Sequence, residues 1–337
     1  MRRLTPFHRW ATAVACLAFV VVVVGAYVRL MDAGLGCPDW PGCYGAITPH
    51  HASDAIAKAV AEQGGTHGPV SLPKAWKEMV HRYLAGTLGL LILSLAVWSW
   101  RSRSEAPRRS RFLASSLVLL VVLQAALGMW TVTMLLKPVI VSLHLLGGMA
   151  TLALLAWLAM RGTASASGRS LSAAAGLRTA AAVGLLVLVA QIALGGWVST
   201  NYAALACIDF PQCHGQWMPP GMDFKHGFQL VRELGMTAAG THLAYEALTA
   251  IHWTHRVGAL VTFVVLGLLG LGLLRAGGLR RLGGLLLVLL CAQVALGITN
   301  ILAGLPLPVA VAHNALAALL LVTLVVINFR LFHKVPA

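Results

Sequence analysis

Four histidines carry most of the chemistry this chain could do, and they come in matched pairs. His81 and His144 lie in the first half of the sequence, His255 and His313 in the second. Each stands near the start of a long apolar stretch, so each imidazole would sit inside a membrane-spanning helix. Ionisable side chains there are costly and mark function by default. Two facing imidazoles in a four-helix bundle can hold haem iron by both axial positions. Copper and zinc also accept imidazole. Each half has only two such histidines and no Cys or Met cluster within its helices, which favours haem. One histidine alone could equally be a hydrogen-bonded packing residue; four at one depth, paired by a repeat, argue for a site. Small neighbours (Gly86, Gly89, Gly147, Gly148, Gly258, Ala312 and Ala315) leave room for a flat macrocycle or for close helix contact.

The residues beside these histidines differ between the halves. Glu78 stands three positions before His81, in Trp-Lys-Glu-Met-Val-His-Arg; His252 stands three before His255, in Ile-His-Trp-Thr-His-Arg. Residues three apart share a helix face, so Glu78 belongs with the first pair and His252 with the second. A carboxylate beside a haem could take up a proton or stabilise a developing positive charge. Its plainer reading is a residue that caps or solvates the start of a helix. The first half therefore reads as reactive, the second as an electron-carrying or structural haem site. Arg82 and Arg256 follow their histidines directly. Successive helical residues point about 100° apart, so these guanidiniums do not share the ligand direction. They are candidates for haem propionates or, by snorkelling, for lipid headgroups.

A repeat positions all of this. Cys37 and Cys43 in GLGCPDWPGCYG return as Cys207 and Cys213 in LACIDFPQCHG. Gly25, Asp39, Pro41 and Gly45 return as Gly195, Asp209, Pro211 and Gly215. LQAALGMWTVT, ahead of His144, returns as AQVALGITN ahead of His313, and His81-Arg82 returns as His255-Arg256. Repeats on this scale place a site in each half of many membrane folds. The chain of 337 residues is 58% hydrophobic and 10% charged, which excludes an ordinary soluble domain. Eight apolar stretches, near 10–30, 79–100, 112–134, 139–160, 177–199, 246–274, 282–303 and 306–330, are long enough to cross a bilayer, which takes about 20 residues. The first is long, ends in Tyr-Val-Arg-Leu and has a counterpart at 177–199, so it reads as a retained helix, not a cleaved signal. The expected architecture is an all-α integral membrane protein of eight transmembrane helices. They form two pseudo-symmetric four-helix bundles, over residues 1–165 and 166–337.

The net charge of +15 invites a nucleic-acid reading that its distribution rejects. Most of the 25 basic residues fall on one set of connections: Arg2, Arg3 and Arg9; Arg101, Arg103, Arg108, Arg109 and Arg111; Arg161, Arg169 and Arg178; Arg275, Arg280 and Arg281; Arg330 and Lys334. Of the ten acids only Glu105 lies with them. This positive-inside pattern puts both termini in the cytoplasm. The loops 31–78 and 200–245, which carry the Cys pairs, then face outward, where an oxidising compartment permits disulfides. Cys37–Cys43 and Cys207–Cys213 are the expected bridges, and closing so small a ring restrains a loop by about 2 kcal/mol. For Cys37–Cys43 a structural bridge is the simpler reading and a redox role the alternative. Cys16 and Cys291 are expected as small core residues. Arg29 is replaced by Ser199 in the second half, and His214 reads as a loop residue.

The two Cys-x5-Cys loops, Glu-x-x-His-Arg opening the second helix, His-Arg in the sixth, and lone histidines in the fourth and eighth together resemble the haem A synthase family. The resemblance spans nearly the whole chain, and CPDWPGC and CIDFPQCHGQWMP look most like its proteobacterial members. It implies an oxidoreductase acting on a CH group. The C8 methyl of haem O would become the formyl group of haem A through two hydroxylations, an alcohol, and a hydrate that loses water. It implies that His81 and His144 ligate the substrate haem O, that His255 and His313 ligate a resident haem b, and that Glu78 acts beside the reacting methyl. It places the chain in a bacterial inner membrane with periplasmic Cys loops. Haem O synthase, membrane lipid, an electron acceptor and a second copy of the chain are candidate partners. One rival is a di-haem b cytochrome that only transfers electrons, against which Glu78 argues. Another is a transporter or haem chaperone, against which parallel halves without a broken-helix signal argue.

Overall fold

Long apolar runs in lipid have few ways to satisfy their backbone, and the helix is the local one. The computed structural model describes residues 5–65, 67–102, 106, 108–163 and 175–333. Arg2, Arg3, Arg103, Glu105, Arg169 and Lys334 of the charge pattern lie outside the described residues. The helices are α1 (Pro6–Leu30), α2 (Ser53–Glu62), α3 (Leu72–Arg101), α4 (Arg108–Thr133), α5 (Pro138–Met160), α6 (Ala175–Thr200), α7 (Phe224–Gly227), α8 (Tyr245–Arg275), α9 (Arg280–Leu302) and α10 (Leu307–Phe332). All but the short α2 and α7 are long and apolar enough to cross a membrane, which gives eight spans among the described residues. The chain is a multi-pass membrane protein.

Local sequence sets the helix starts. The Thr5 and Ser71 hydroxyls accept the N–H of His8 and Lys74 at 3.4 Å, and Pro6, Pro73, Pro138 and Pro308 stand in first turns. A side-chain cap and a proline without an N–H both suit that place. One boundary differs from expectation: α3 begins at Leu72, well before residue 79, because Ser71 and Pro73 supply its start. Glu78 consequently lies inside the helix and is buried, at 5% exposure, where the plainer reading had put it at a solvated helix end.

Helices α1, α3, α4 and α5 pack in that cyclic order, each on its two neighbours, and α6, α8, α9 and α10 repeat the pattern. The halves meet where α10 packs on α1 and α5 and where α5 packs on α6. Val14, Ala18, Leu95, Leu155, Leu266 and Leu324 belong to one continuous apolar core. Cys16 and Cys291 are exposed on helix surfaces, which corrects their expected place in the core. On α1 the buried positions include Val14, Ala18 and Val21, and Cys16, two residues from Val14, is turned about 200° from it.

At one end of the molecule each half carries a disulfide loop, Cys37–Cys43 and Cys207–Cys213. Their recurring residues have a physical reason. The Asp39 carboxylate accepts the N–H groups of Tyr44 at 2.6 Å and Gly45 at 2.7 Å. Asp209 accepts those of His214 at 2.8 Å and Gly215 at 2.7 Å. Each turn passes through left-handed backbone, with φ 74° at Gly45 and 71° at Gly215, where glycine carries no steric penalty.

Candidate functional site

His81, His144, His255 and His313 project from the first three turns of α3, α5, α8 and α10, at the end that carries the disulfide loops. Each ring rests on a glycine of another helix. A Cβ at Gly25 of α1 would lie 2.8 Å from His81 Cε1, and one at Gly128 of α4 would lie 3.3 Å from His144 Cε1. At Gly195 of α6 the distance to His255 Cε1 would be 3.1 Å, and at Gly297 of α9 that to His313 Cε1 would be 3.2 Å. Carbon atoms settle at about 3.5–4.0 Å, so the four seats suit a hydrogen and crowd a methyl. Gly25 and Gly195 stand in the repeat described above, whereas Gly128 and Gly297 emerge as seats only in the structure. Their signal was the glycine that ends Ala-Leu-Gly in LQAALGMW and AQVALGIT.

His81 and His144 belong to the ring of α1, α3, α4 and α5, and His255 and His313 to that of α6, α8, α9 and α10. The four imidazoles thus form one pair per half. His81, His144 and His313 each have a buried Nδ1 without a hydrogen-bond partner. Among the described residues no three His, Cys, Asp or Glu side chains converge as a bare-ion site would need. The donor chemistry suits a haem: His81 and His144 would hold one in the first half, and His255 and His313 one in the second.

Glu78 lies one turn from His81, and its Oε2 accepts the N–H of Cys37 at 3.0 Å. Its Oε1 pairs with the Arg82 guanidinium. Arg82 also donates to the carbonyl oxygen of Asp39 at 2.8 Å and to that of Cys37 at 3.5 Å. The second half copies this layout with different chemistry. The N–H of Cys207 donates to His252 Nδ1 at 3.2 Å, and Arg256 donates to the carbonyls of Cys207 and Gln212, each at 2.7 Å. Glu78 and His252 therefore hold one structural position, and each anchors a disulfide loop. What distinguishes them is charge, not hydrogen bonding. Both arginines point their guanidiniums at loop carbonyls, a set of partners that neither the propionate nor the headgroup reading had included.

Other residues singled out from sequence settle into the scaffold. Arg29 donates to the Ser199 carbonyl at 2.6 Å and lies over the Tyr202 ring at 4.1 Å, while the Tyr202 hydroxyl donates to Asp32 at 2.8 Å. The Arg29–Ser199 difference is thus a contact between the halves. His214 stacks on Tyr245 as part of its loop. The N–H groups of Gly215 and His214 hold the Asp209 carboxyl below the usual carboxylate range.

The family model described as COX15-CtaA, cytochrome oxidase assembly protein, matches residues 8–325. The chain is similar to the Heme A synthase of Shewanella oneidensis, 44% identical over 315 residues that cover 94% of this chain and 93% of that protein. It is also similar to the Heme A synthase of Sphingopyxis alaskensis, 30% identical over 334 residues that cover 93% and 88%. To the Heme A synthase of Halalkalibacterium halodurans it is 28% identical over 312 residues, 90% of each.

Proposed function

The chain belongs to the haem A synthase family, and on that premise we propose that it makes haem A by oxidising the C8 methyl of haem O to a formyl group. Two successive hydroxylations account for that product: each replaces a C–H by a C–OH and removes two electrons, which an external electron acceptor takes up, giving an alcohol and then a hydrate that loses water. His81 and His144 hold the substrate, and His255 and His313 hold a resident haem b. That haem supplies one-electron transfer when bound.

The observation that carries this reading is the exchange of Glu78 for His252 at one structural position. Both side chains accept the N–H of a loop cysteine, so anchoring the loop does not require a carboxylate. A carboxylate is needed where positive charge develops, as it does on a carbon losing electrons. Glu78 meets that need on the His81 face of α3 and can take the proton that the carbon gives up. Cys37 and Arg82 fix its two oxygens and so its direction. The charge distribution supports an orientation with both termini cytoplasmic and the disulfide loops outside, and the bacterial relatives support an inner-membrane location with periplasmic loops. Haem O synthase, an electron acceptor, lipid and a second copy of the chain are the partners this role would involve.

The test is acid extraction and mass analysis of haems from purified protein, expressed with and without haem O synthase. Haem b alone without that synthase, and the hydroxylated intermediate or haem A with it, is the expected result. Two equivalents of haem b in both cases and no oxidised product would favour the electron-transfer cytochrome. Glu78→Gln keeps an oxygen for the Cys37 N–H and removes the charge. Conversion of haem O should stop while haem content stays normal; full conversion by this variant would end the role given to Glu78.

A further inference from the structure

The four glycine seats share a second feature that separates one histidine from the other three. Gln124, Gln191 and Gln293 each stand four residues before a seat, in Gln-x-Ala-Leu-Gly, whereas Val21 holds that place before Gly25, in Val-Val-Val-Val-Gly. Residues four apart lie on one helix face, so each glutamine sits one turn along from its glycine, on the side that faces the same imidazole. Gln191 Nε2 is 3.1 Å from His255 Nδ1 and also donates to the His255 carbonyl at 3.1 Å. Gln293 Nε2 is 3.2 Å from His313 Nε2. Gln124 Nε2 makes no such bond and is buried without a partner, but its amide lies against Gly147, one turn after His144, as the Gln191 amide lies against Gly258, one turn after His255.

A carboxamide presents both a donor and an acceptor edge, so it can serve either nitrogen of a neutral imidazole. A histidine that binds iron through one nitrogen needs an acceptor for the proton on the other, and that partner fixes the ring and strengthens it as a ligand. In the structure Nε2 faces each ring, and the side-chain oxygens of Gln191 and Gln293 are buried without a partner; each oxygen meets this need once its amide turns over, which at Gln191 gives up the bond to the His255 carbonyl. At the matching place one turn before Gly25, α1 carries the apolar Val21, 9% exposed, which can offer a ring nitrogen neither a donor nor an acceptor.

We propose that Gln124, Gln191 and Gln293 are positioning residues for His144, His255 and His313, and that Val21 makes His81 the ligand that lets go. This rests on the reading of the two histidine pairs as haem ligands. It adds a physical reason for their division of labour that does not depend on Glu78. The second-half haem is supported from both sides and stays. The first-half haem is supported from the α5 side alone and exchanges, as a substrate that must enter and leave requires.

The experiment follows haem loss from the purified full-length protein, loaded with haem b, to excess apomyoglobin. It compares wild type, Val21→Gln, Gln191→Met and the ligand variants His255→Ala and His313→Ala. Wild type should lose haem in a fast and a slow phase. Val21→Gln should slow the fast phase by roughly 10-fold, and Gln191→Met should speed the slow phase by roughly 10- to 100-fold, the range typical of partners of metal-bound histidine. Gln191→Met should also shift the midpoint potential and low-spin spectrum of the retained haem, which a change in packing alone would leave in place. Val21→Asn serves if the longer amide does not fold. Both phases unchanged in the folded glutamine-position variants, while the ligand variants lose haem, would overturn this inference and leave the ligand assignment standing. Full haem content in the ligand variants would overturn both.

Discussion

Replacing Gly25 with alanine should disturb its histidine more than the same change at any of the other three seats. The added methyl would lie 2.8 Å from His81 Cε1 and 3.3 Å from Nε2. Carbon contacts settle at about 3.5–4.0 Å, so the ring must retreat by about 0.7 Å or more. At Gly128 the nearest atom is 3.3 Å away and the next 3.9 Å, so a retreat of about 0.2 Å suffices. Overpacking that cannot relax costs about 1–3 kcal/mol, and the helix preference of alanine over glycine offsets up to about 1 kcal/mol. Gly25→Ala should then destabilise the fold by about 0–3 kcal/mol, and Gly128→Ala should be near neutral. Ligation is less forgiving, because disturbing the support of a metal-bound histidine lowers metal affinity about 10- to 100-fold. Haem per chain and the low-spin optical spectrum, read beside thermal unfolding, should fall off in the order Gly25, Gly195, Gly297, Gly128. Equal haem content in folded Gly25→Ala and Gly128→Ala, or the reverse order, would refute the seat as what places the ring.

Two further outcomes follow from the disulfide loops. The Cys37→Ser/Cys43→Ser double variant should lose about 2 kcal/mol of loop restraint and melt at lower temperature with normal haem content. Lost activity at normal stability and haem content would instead assign the bridge a redox role. The depressed Asp209 carboxyl stabilises its loop fully above the ordinary carboxylate range, and that contribution disappears as pH falls through the lower folded-state value. Exchange protection of the Gly215 amide should therefore drop in acid in the wild type. In Asp209→Asn it should be weaker throughout and insensitive to pH over that window; an unchanged acid response in the variant would place the titrating group elsewhere.

Much of this protein was legible along the chain. Lipid leaves a long apolar run few backbone solutions, so eight spans could be read from apolar length alone, and the repeat of His, Cys and Gly showed which residues correspond. The glycine before each histidine was equally visible, as were the three glutamines and the one valine. What a linear pattern does not carry is which distant segment a side chain meets. Cys37 and Glu78 are separated by loop, α2 and the start of α3, and only folding brings the N–H of one to the carboxylate of the other. The same holds for Arg82: its position beside His81 ruled out the ligand direction, but a long flexible side chain takes its partners from whatever packs nearby, here the carbonyls of the disulfide loop. The exposure of Cys16 is not legible along the chain, because apolar composition is the same on the lipid and core faces of a span, and only the placement of neighbouring helices tells them apart. Sequence determined the elements and which histidines correspond between the halves, because both follow from local composition and repetition. The tertiary structure decided that Glu78 and His252, already aligned by the repeat, each accept the N–H of a loop cysteine, because what a side chain touches depends on which distant segment packs beside it.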